Sequence, residues 1–274
     1  MAKQDISQDR NFDDLAHRFA RKIYGSLKGD IRLAVVERDL HQHTQLLSDQ
    51  KNAEPLFILD AGGGQGQFSL GFAELGHQVV ICDISSEMLA LARKQVEEKG
   101  LSERVILLHC SLQEVGEKLQ ELGWQERTFD LVICHAVMEW LKEPANLLPH
   151  LLGHLKRNGF LSLIFYNVHS LIFKNLLRGN YRKVATHDVK GYRGSLTPIN
   201  PIDPSDALAW VEALPFKLRA YSGIRVFHDY ILDPMVAKQT PEEVIELELR
   251  FSQLEPYRSL GRYQHFLLQR HESS

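Results

Sequence analysis

The chain has 274 residues, 44% of them apolar, which is enough for one large core. No apolar run approaches the ~20 residues that span a bilayer, so a membrane-spanning helix is excluded. The net charge of −3 gives no general attraction for nucleic acid, so any such partner must be held by a local basic surface.

The start, Met1-Ala2-Lys3-Gln4-Asp5, has no apolar signal region. Phe12, Leu15, Ala16, Phe19 and Ile23 then recur at helical spacing and predict an amphipathic helix. Tyr24-Gly25-Ser26-Leu27-Lys28-Gly29 interrupts it, and a second helix is expected from Asp30 as N-cap to Leu47. This start puts Arg32 in the first turn, where the helix dipole disfavours a cation. A bound carboxylate would offset the mismatch; a solvated surface arginine would also be compatible with it.

Phe57-Ile58-Leu59-Asp60 reads as a buried strand, followed by Ala61-Gly62-Gly63-Gly64-Gln65-Gly66 and by a helix through Phe68, Leu70, Phe72, Ala73 and Leu75. Glycines at this turn permit positive φ and a close ligand approach. The helix end adds unpaired N–H groups. A dinucleotide fingerprint fails: counted from Gly62 its third glycine is Gln67, and counted from Gly64 it is Ser69. No Gly-Lys-Ser/Thr follows, so a phosphate-binding P-loop is excluded as well. Asp60-x-Gly62-x-Gly64-x-Gly66 instead resembles the first motif of S-adenosylmethionine-dependent methyltransferases, with Asp60 facing the cofactor's ammonium group.

Strands and helices then alternate. Val79–Cys82 is a second strand ending at Asp83, and Ser85 caps a helix through Met88, Leu89, Leu91, Ala92 and Val96. Asp83, about twenty residues past the glycines, is placed to accept hydrogen bonds from ribose hydroxyls. Val105–Cys110 is a third strand, after which Ser111 and Leu112 would offer main-chain N–H groups and an apolar contact to an adenine. Phe129–His135 is a fourth strand, continued outward by Ala136–Trp140. Phe160–Phe165 is a fifth. Such alternation predicts parallel βαβ units with ligands outside the carboxyl ends of the strands, where Asp60, Asp83, Ser111 and His135 all lie.

The stretch from Asn167 to Asn200 is too long for an ordinary connection. It carries Lys174, Arg178, Arg182, Lys183, Lys190 and Arg193 against one acid, Asp188, with Phe173, Tyr181 and Tyr192 interleaved. This pattern predicts a phosphate-contacting surface with stacking partners, or a solvated lid. Beyond it, a helix is expected from Pro204 through Leu214, a strand over Leu218–Tyr221, a helix from Pro241 through Val244, Leu247, Leu249 and Phe251, and a closing strand over Gln264–Leu268. The 13 histidines form no convincing metal site; His41 and His43, two apart on a helix, point away from each other. Cys82, Cys110 and Cys134 lack metal-ligand spacing and read as small core residues of a reduced, cytoplasmic protein.

Several blocks together resemble one bacterial family. They are Arg10-Asn11-Phe12-Asp13-Asp14, Lys28-Gly29-Asp30-Ile31-Arg32, the glycine loop, His135-Ala136-Val137-Met138-Glu139-Trp140, Phe165-Tyr166-Asn167, Gly223-Ile224-Arg225-Val226-Phe227-His228-Asp229-Tyr230 and Leu260-Gly261-Arg262-Tyr263. The chain is similar over nearly its whole length to the tRNA 5-carboxymethoxyuridine methyltransferases. The resemblance implies an α/β, Rossmann-like class I methyltransferase fold with a seven-stranded, mostly parallel sheet and helices on both faces. It implies one domain over 1–274: a helical lid (1–50), a cofactor-binding core (51–166), a basic insertion contacting tRNA (167–205) and a C-terminal completion of the sheet (206–274). The implied reaction is S-adenosylmethionine-dependent methylation of the carboxylate of 5-carboxymethoxyuridine at the tRNA wobble position, without metal or membrane. Carried over, Arg32, Gly62, Gly63, Asp83, Ser111, Leu112 and His135 would contact the cofactor. The basic insertion departs from the family's more lysine-rich run.

A carboxylate is ionised near neutral pH, so no general base is expected. What the reaction needs is alignment, exclusion of water and a group that recruits the anion. Arg225 is the first candidate for that group, with Arg262, Tyr166 and His228 behind it; a structural ion pair is the competing role for Arg225. The alternative functions are a small-molecule O- or C-methyltransferase on the same fold and a silent cofactor- or tRNA-binding module. The cofactor loop cannot separate these, because binding alone needs it.

Overall fold

The computed structural model describes residue 13 and residues 25–47, 54–124, 127–186, 197–232 and 239–271. Of the helix expected over Phe12–Ile23 all but Asp13 lies outside the described residues, as do Asp188, Lys190, Tyr192 and Arg193. Seven strands form one sheet: β1 Phe57–Ala61, β2 Gln78–Asp83, β3 Val105–His109, β4 Phe129–His135, β5 Leu155–Tyr166, β6 Phe216–Ile224 and β7 Tyr263–Arg270. Their order is β3-β2-β1-β4-β5-β7-β6, and only β7 runs against its neighbours.

The apolar runs are explained by burial on both faces. Neighbouring residues in a strand point to opposite sides. Ile58, Val79, Ile81, Leu131 and Ile133 therefore enter one core layer. Leu59, Val80, Cys82, Val132 and Cys134 enter the other. Helices α1 Leu27–His43, α2 Ser69–Glu74, α3 Ser86–Glu98, α4 Val115–Glu121 and α5 Leu147–His154 connect or cover the first five strands. Helices α6 Val168–Leu177 and α7 Tyr181–Ala185 follow β5, α8 Pro204–Glu212 precedes β6, and α9 Pro241–Phe251 and α10 Tyr257–Leu260 precede β7. Cys82, Cys110 and Cys134 are buried free thiols. No described helix is long and apolar enough to cross a membrane.

Four local expectations are corrected. Helix α1 starts at Leu27 with Ser26 as N-cap, so Asp30 lies inside its first turn and Arg32 beyond it. The dipole mismatch at Arg32 therefore disappears. The cause is packing: Ile31, Val35, Val36 and Leu40 are almost fully buried and anchor α1 in the core. Strand β4 ends at His135, because Ala136 turns to φ 59° and Met138–Trp140 forms a 3₁₀ turn. Leu75 caps α2 but is 49% exposed, outside the core stripe assigned to it. On α9 the carboxylate of Glu248 takes the buried position beside a partly exposed Leu247, because it serves the next loop.

Candidate active site

The first half of the rim is built from backbone. The N–H groups of Gly62 and Gly63 both donate to the Cys82 carbonyl, at 2.9 and 3.1 Å, which fixes the turn against β2. A Cβ on Gly62 would lie 2.6 Å from Val137, and one on Gly63 would strike the Asp60 carboxylate. These two glycines are thus required by the protein's own packing as much as by any ligand. The Asp83 carboxylate holds the loop from the other side, accepting from Gly64 N–H and Ser85 N–H at 2.8 Å each. Each of its oxygens retains a second lone pair.

Arg32, Asp60, Gly62, Gly63, Phe68 and His135 line a common pocket at the ends of β1 and β4. Arg32 is 7% exposed and comes from α1; its guanidinium lies 5.0 Å from the centre of the Tyr263 ring. Asp60 is buried, and Ser69 Oγ donates to it at 2.5 Å. Burial pushes its carboxyl up to about 7, with the Ser69 hydrogen bond opposing and the Asp83 charge assisting. Burial also holds the His135 imidazole well below its ordinary value, helped by the positive charge of Arg32 and by His265. A pocket with one cation and one buried acid is complementary to a zwitterionic α-amino acid group, the end of S-adenosylmethionine that the sequence assigns to Asp60.

Ser111 follows a different pattern from the one expected. Its N–H and hydroxyl are both taken by the Glu114 carboxylate, at 2.8 and 2.7 Å, in a capping box. The Ser111 main-chain N–H is therefore not offered to an adenine; its neighbour Leu112 is buried and apolar.

The other half of the rim is charged. Asp229 stands between four cations: Arg225 Nη2 at 3.2 Å, Arg262 Nε at 3.6 Å, Lys28 Nζ at 3.8 Å and Lys174 Nζ at 4.0 Å. Burial raises the Asp229 carboxyl, but these four neighbours outweigh it and hold it below the usual carboxylate range. Lys174 is pushed down to about 8 by burial, with Asp229 opposing and Arg262 adding to the fall. The side chains of Arg225 and Asp229 are 8% and 4% exposed. Arg225 Nε, Arg262 Nη1, Tyr166 Oη, His228 Nδ1 and Asp229 Oδ2 are buried and have no hydrogen-bond partner among the described residues. The cations thus surround Asp229 by proximity and keep donors unspent.

Three clamps bring these residues together. The buried carboxylate of Glu248 accepts N–H bonds from Val226, Phe227 and His228, holding the turn that follows β6. That turn begins with Arg225 at φ 58°, a left-handed conformation uncommon outside glycine. Asn167 Nδ2 donates to the carbonyls of Ser259 and Gly261 at 2.9 Å, fixing the loop that carries Arg262. Tyr230 Oη donates to Leu260 O at 2.7 Å. The Arg262 guanidinium then lies 4.7 Å from the Tyr166 ring centre.

All four anion-recruiting candidates, Arg225, Arg262, Tyr166 and His228, are therefore brought to one place. Sequence reasoning gave no role to Asp229, Lys28 or Glu248, although Asp229 sits four residues after Arg225 in a block already singled out. Lys174 and Phe173 were assigned to an RNA-facing surface; Lys174 instead points at Asp229, and Phe173 packs edge-on against Tyr230 at 5.2 Å. Arg178, Arg182 and Lys183 are exposed, and Tyr181 is 67% exposed. Among the described residues no group of three His, Cys, Asp or Glu side chains could hold a metal ion.

The family described as "Methyltransferase domain" matches residues 59–163, which span β1 to β5. A protein of Escherichia coli (strain K12), the "tRNA 5-carboxymethoxyuridine methyltransferase", is 39% identical over 97% of this chain and 98% of its own length. The chain belongs to the tRNA 5-carboxymethoxyuridine methyltransferase family. A "Ubiquinone biosynthesis O-methyltransferase" of Photobacterium profundum is 27% identical over 82% of this chain and 89% of its own. Among solved structures, a magnesium protoporphyrin IX methyltransferase from Synechocystis PCC 6803 with bound SAH superposes with a TM-score of 0.58. It is 18% identical and covers 94% of this chain and 96% of its own, a likeness of fold. The family assignment extends through the blocks around Arg225 and Arg262, beyond the segment that the methyltransferase domain covers.

Proposed function

We propose that this protein methylates the carboxylate of 5-carboxymethoxyuridine at the wobble position of tRNA, forming the methyl ester with S-adenosylmethionine as donor. The observation that carries the reading is the cluster of four cations around one acid, with donors left over, beside a zwitterion-matched pocket. Arg32 and Asp60 would hold the carboxylate and ammonium of the cofactor, Asp83 its ribose, and Leu112 the apolar side of its base. The bound cofactor supplies a methyl group on an electrophilic sulfonium.

The remaining work falls to the charged half of the rim. Asp229 neutralises one of four positive charges, so the cluster keeps an excess that attracts an anion. Arg225 and Arg262 present N–H donors to the substrate carboxylate, and Tyr166 and His228 bound the same space. Their burial removes water from the nucleophilic oxygens, which strengthens each charge-assisted contact. A substrate carboxylate needs no proton removed, so no residue is assigned as base. Asp229 sets the strength of the site: without it, four mutually repelling cations would not pack together.

The exposed Arg178, just after α6, and Tyr181, Arg182 and Lys183 on α7 supply a phosphate-contacting edge next to this site, with Tyr181 as a stacking partner. This gives the 167–205 insertion its role in the proposal, while 51–166 holds the cofactor and 206–274 completes the sheet. A cytoplasmic location belongs to the same reading and is supported by three buried free thiols.

The test incubates the protein with methyl-labelled S-adenosylmethionine and two tRNA pools, one carrying the carboxymethoxy group and one from cells unable to make it. Label only in the first pool, released by mild alkaline ester hydrolysis, is expected. Equal label in both pools, or label stable to alkali, would overturn the assignment of the carboxylate as target.

A further inference from the structure

A line of buried polar side chains runs from α1 through the sheet to the cofactor pocket. Asp39 Oδ2 lies 2.7 Å from His265 Nδ1, His265 Nε2 lies 3.0 Å from Ser162 Oγ, and Ser162 Oγ lies 2.8 Å from His135 Nε2. Asp39, His265 and Ser162 are all 0% exposed. Four separate elements, α1, β7, β5 and β4, contribute one residue each. A hydrophobic strand centre pays a desolvation cost for each such group, so the line is a built feature rather than a surface accident.

The direction of the hydrogen bonds follows from the far end. Asp39 Oδ1 accepts from Arg38 Nε and Nη2 at 3.0 and 2.7 Å and from Gln253 Nε2 at 3.2 Å. Burial pushes the Asp39 carboxyl up, but the His265 hydrogen bond and the Arg38 guanidinium hold it below its ordinary value. It is therefore a carboxylate, able only to accept, and His265 Nδ1 must donate to it. Arg38 already neutralises Asp39, so a second buried cation on His265 would lack a counter-charge. With His265 neutral, its Nε2 accepts the Ser162 hydroxyl proton. Ser162 Oγ then accepts from His135 Nε2–H, which leaves His135 Nδ1 with a lone pair. His135 stays neutral beside Arg32, in keeping with its depressed basicity.

We infer that Asp39, His265 and Ser162 are positioning residues that lock His135 in its Nε2–H tautomer, so that Nδ1 accepts a hydrogen bond from the ammonium group of the bound cofactor. In the opposite tautomer His135 would present an N–H to an N–H donor, and the contact would be lost. Asp60 then supplies the charge for that ammonium and His135 a neutral acceptor. The inference rests on the cofactor reading of the pocket and not on the RNA substrate, so failure of tRNA methylation would leave it standing.

The experiment is long-range ¹H–¹⁵N correlation of the histidine rings in uniformly labelled protein, with His135 assigned from the signals missing in His135→Gln. A pyrrole-like Nε2 and an unprotonated Nδ1 that shifts when S-adenosylhomocysteine is added are expected. Asp39→Asn would turn its amide N–H toward His265 Nδ1, reverse each donor in the line and convert His135 to the Nδ1–H form. Because that change also removes the counter-charge of Arg38, Ser162→Ala is the gentler variant. It cuts the line, should mix the two tautomers and should weaken S-adenosylhomocysteine binding by calorimetry about tenfold. An Nδ1–H form or an imidazolium in the unaltered protein would overturn the inference. Unchanged tautomer and affinity in Ser162→Ala would do the same.

Discussion

The two halves of the rim solve opposite problems. Around β1, β2 and β4 the polar groups are spent on one another: Gly62 and Gly63 on Cys82, Asp83 on Gly64 and Ser85, Ser111 on Glu114. Around β5, β6 and β7 the backbone is equally well held, by Glu248 and Asn167, yet the side chains it carries keep unpaired donors. A cofactor common to many enzymes can be met by a rigid backbone cradle, because its shape does not change between substrates. An anionic substrate needs free charge at a fixed place, and that charge must be kept from collapsing onto itself. The clamps bear the ordering entropy in advance, so the donors wait in position.

The comparison can be broken most severely on the rigid side. Gly63→Ala puts a methyl group into the buried Asp60 carboxylate, which must leave its hydrogen bond with Ser69 to make room. It should lower S-adenosylhomocysteine affinity at least about 100-fold by calorimetry, the scale of a few kcal/mol typical of overpacking. A binding constant near that of the unaltered protein would show that the cradle is softer than its contacts imply.

On the charged side the loss should appear in turnover alone. Arg225→Ala and Arg262→Ala should each reduce kcat/KM on modified tRNA about 10- to 100-fold, the range for a hydrogen bond to a charged group. S-adenosylhomocysteine affinity should stay within about twofold. Loss of cofactor binding with unchanged catalysis at saturation would give Arg225 the structural ion-pair role instead.

Acidity distinguishes the halves in a different way. Asp60 in the free protein holds its proton up to about pH 7, and a cofactor ammonium prefers the ionised form. Cofactor affinity should therefore rise as pH increases toward 7, by up to about tenfold per pH unit, and level off above it. Lys174 runs the other way: it loses its charge as pH rises through about 8, which removes one cation from the anion site. The KM for modified tRNA should climb severalfold above that pH while cofactor affinity holds. Titrations of both constants against pH check the two signs together.

The smallest effect belongs to the outer edge. Arg182→Ala with Lys183→Ala should raise KM for tRNA about 3- to 10-fold and flatten its dependence on salt, with kcat unchanged. An unchanged salt slope would move the RNA-contacting surface away from α7.

Much of the cradle was legible in the sequence because it is local. Asp60 through Gly66 form one continuous stretch, and the runs Val79–Asp83, Val105–His109 and Phe129–His135 carry their own strand signal. Where one segment ends and another packs against it was less legible. The start of α1 was displaced by four residues, from an expected N-cap at Asp30 to Ser26, because Lys28 and Gly29 read as a break, whereas the buried face that follows them extends the helix. Phe173 looked like an exposed stacking residue in a basic stretch, and a partner 57 positions away, Tyr230, takes its ring edge-on and leaves it half-buried. Ser111 carried the right position but the wrong donor, because Glu114 three residues on claims its N–H.

The sequence alone determined the strand–glycine–helix unit, the alternation that makes the sheet parallel, and the polar blocks around Arg225 and Arg262, since periodicity and turn chemistry act between near neighbours. Only the tertiary structure decided that Lys28, Lys174, Arg225 and Arg262 share Asp229, and that Asp39 reaches His135 through His265 and Ser162. Those groups are up to 234 positions apart and meet only because β7 inserts between β5 and β6 against the direction of its neighbours. Charge pairing and burial act through space, and the order of strands in the sheet is what sets that space.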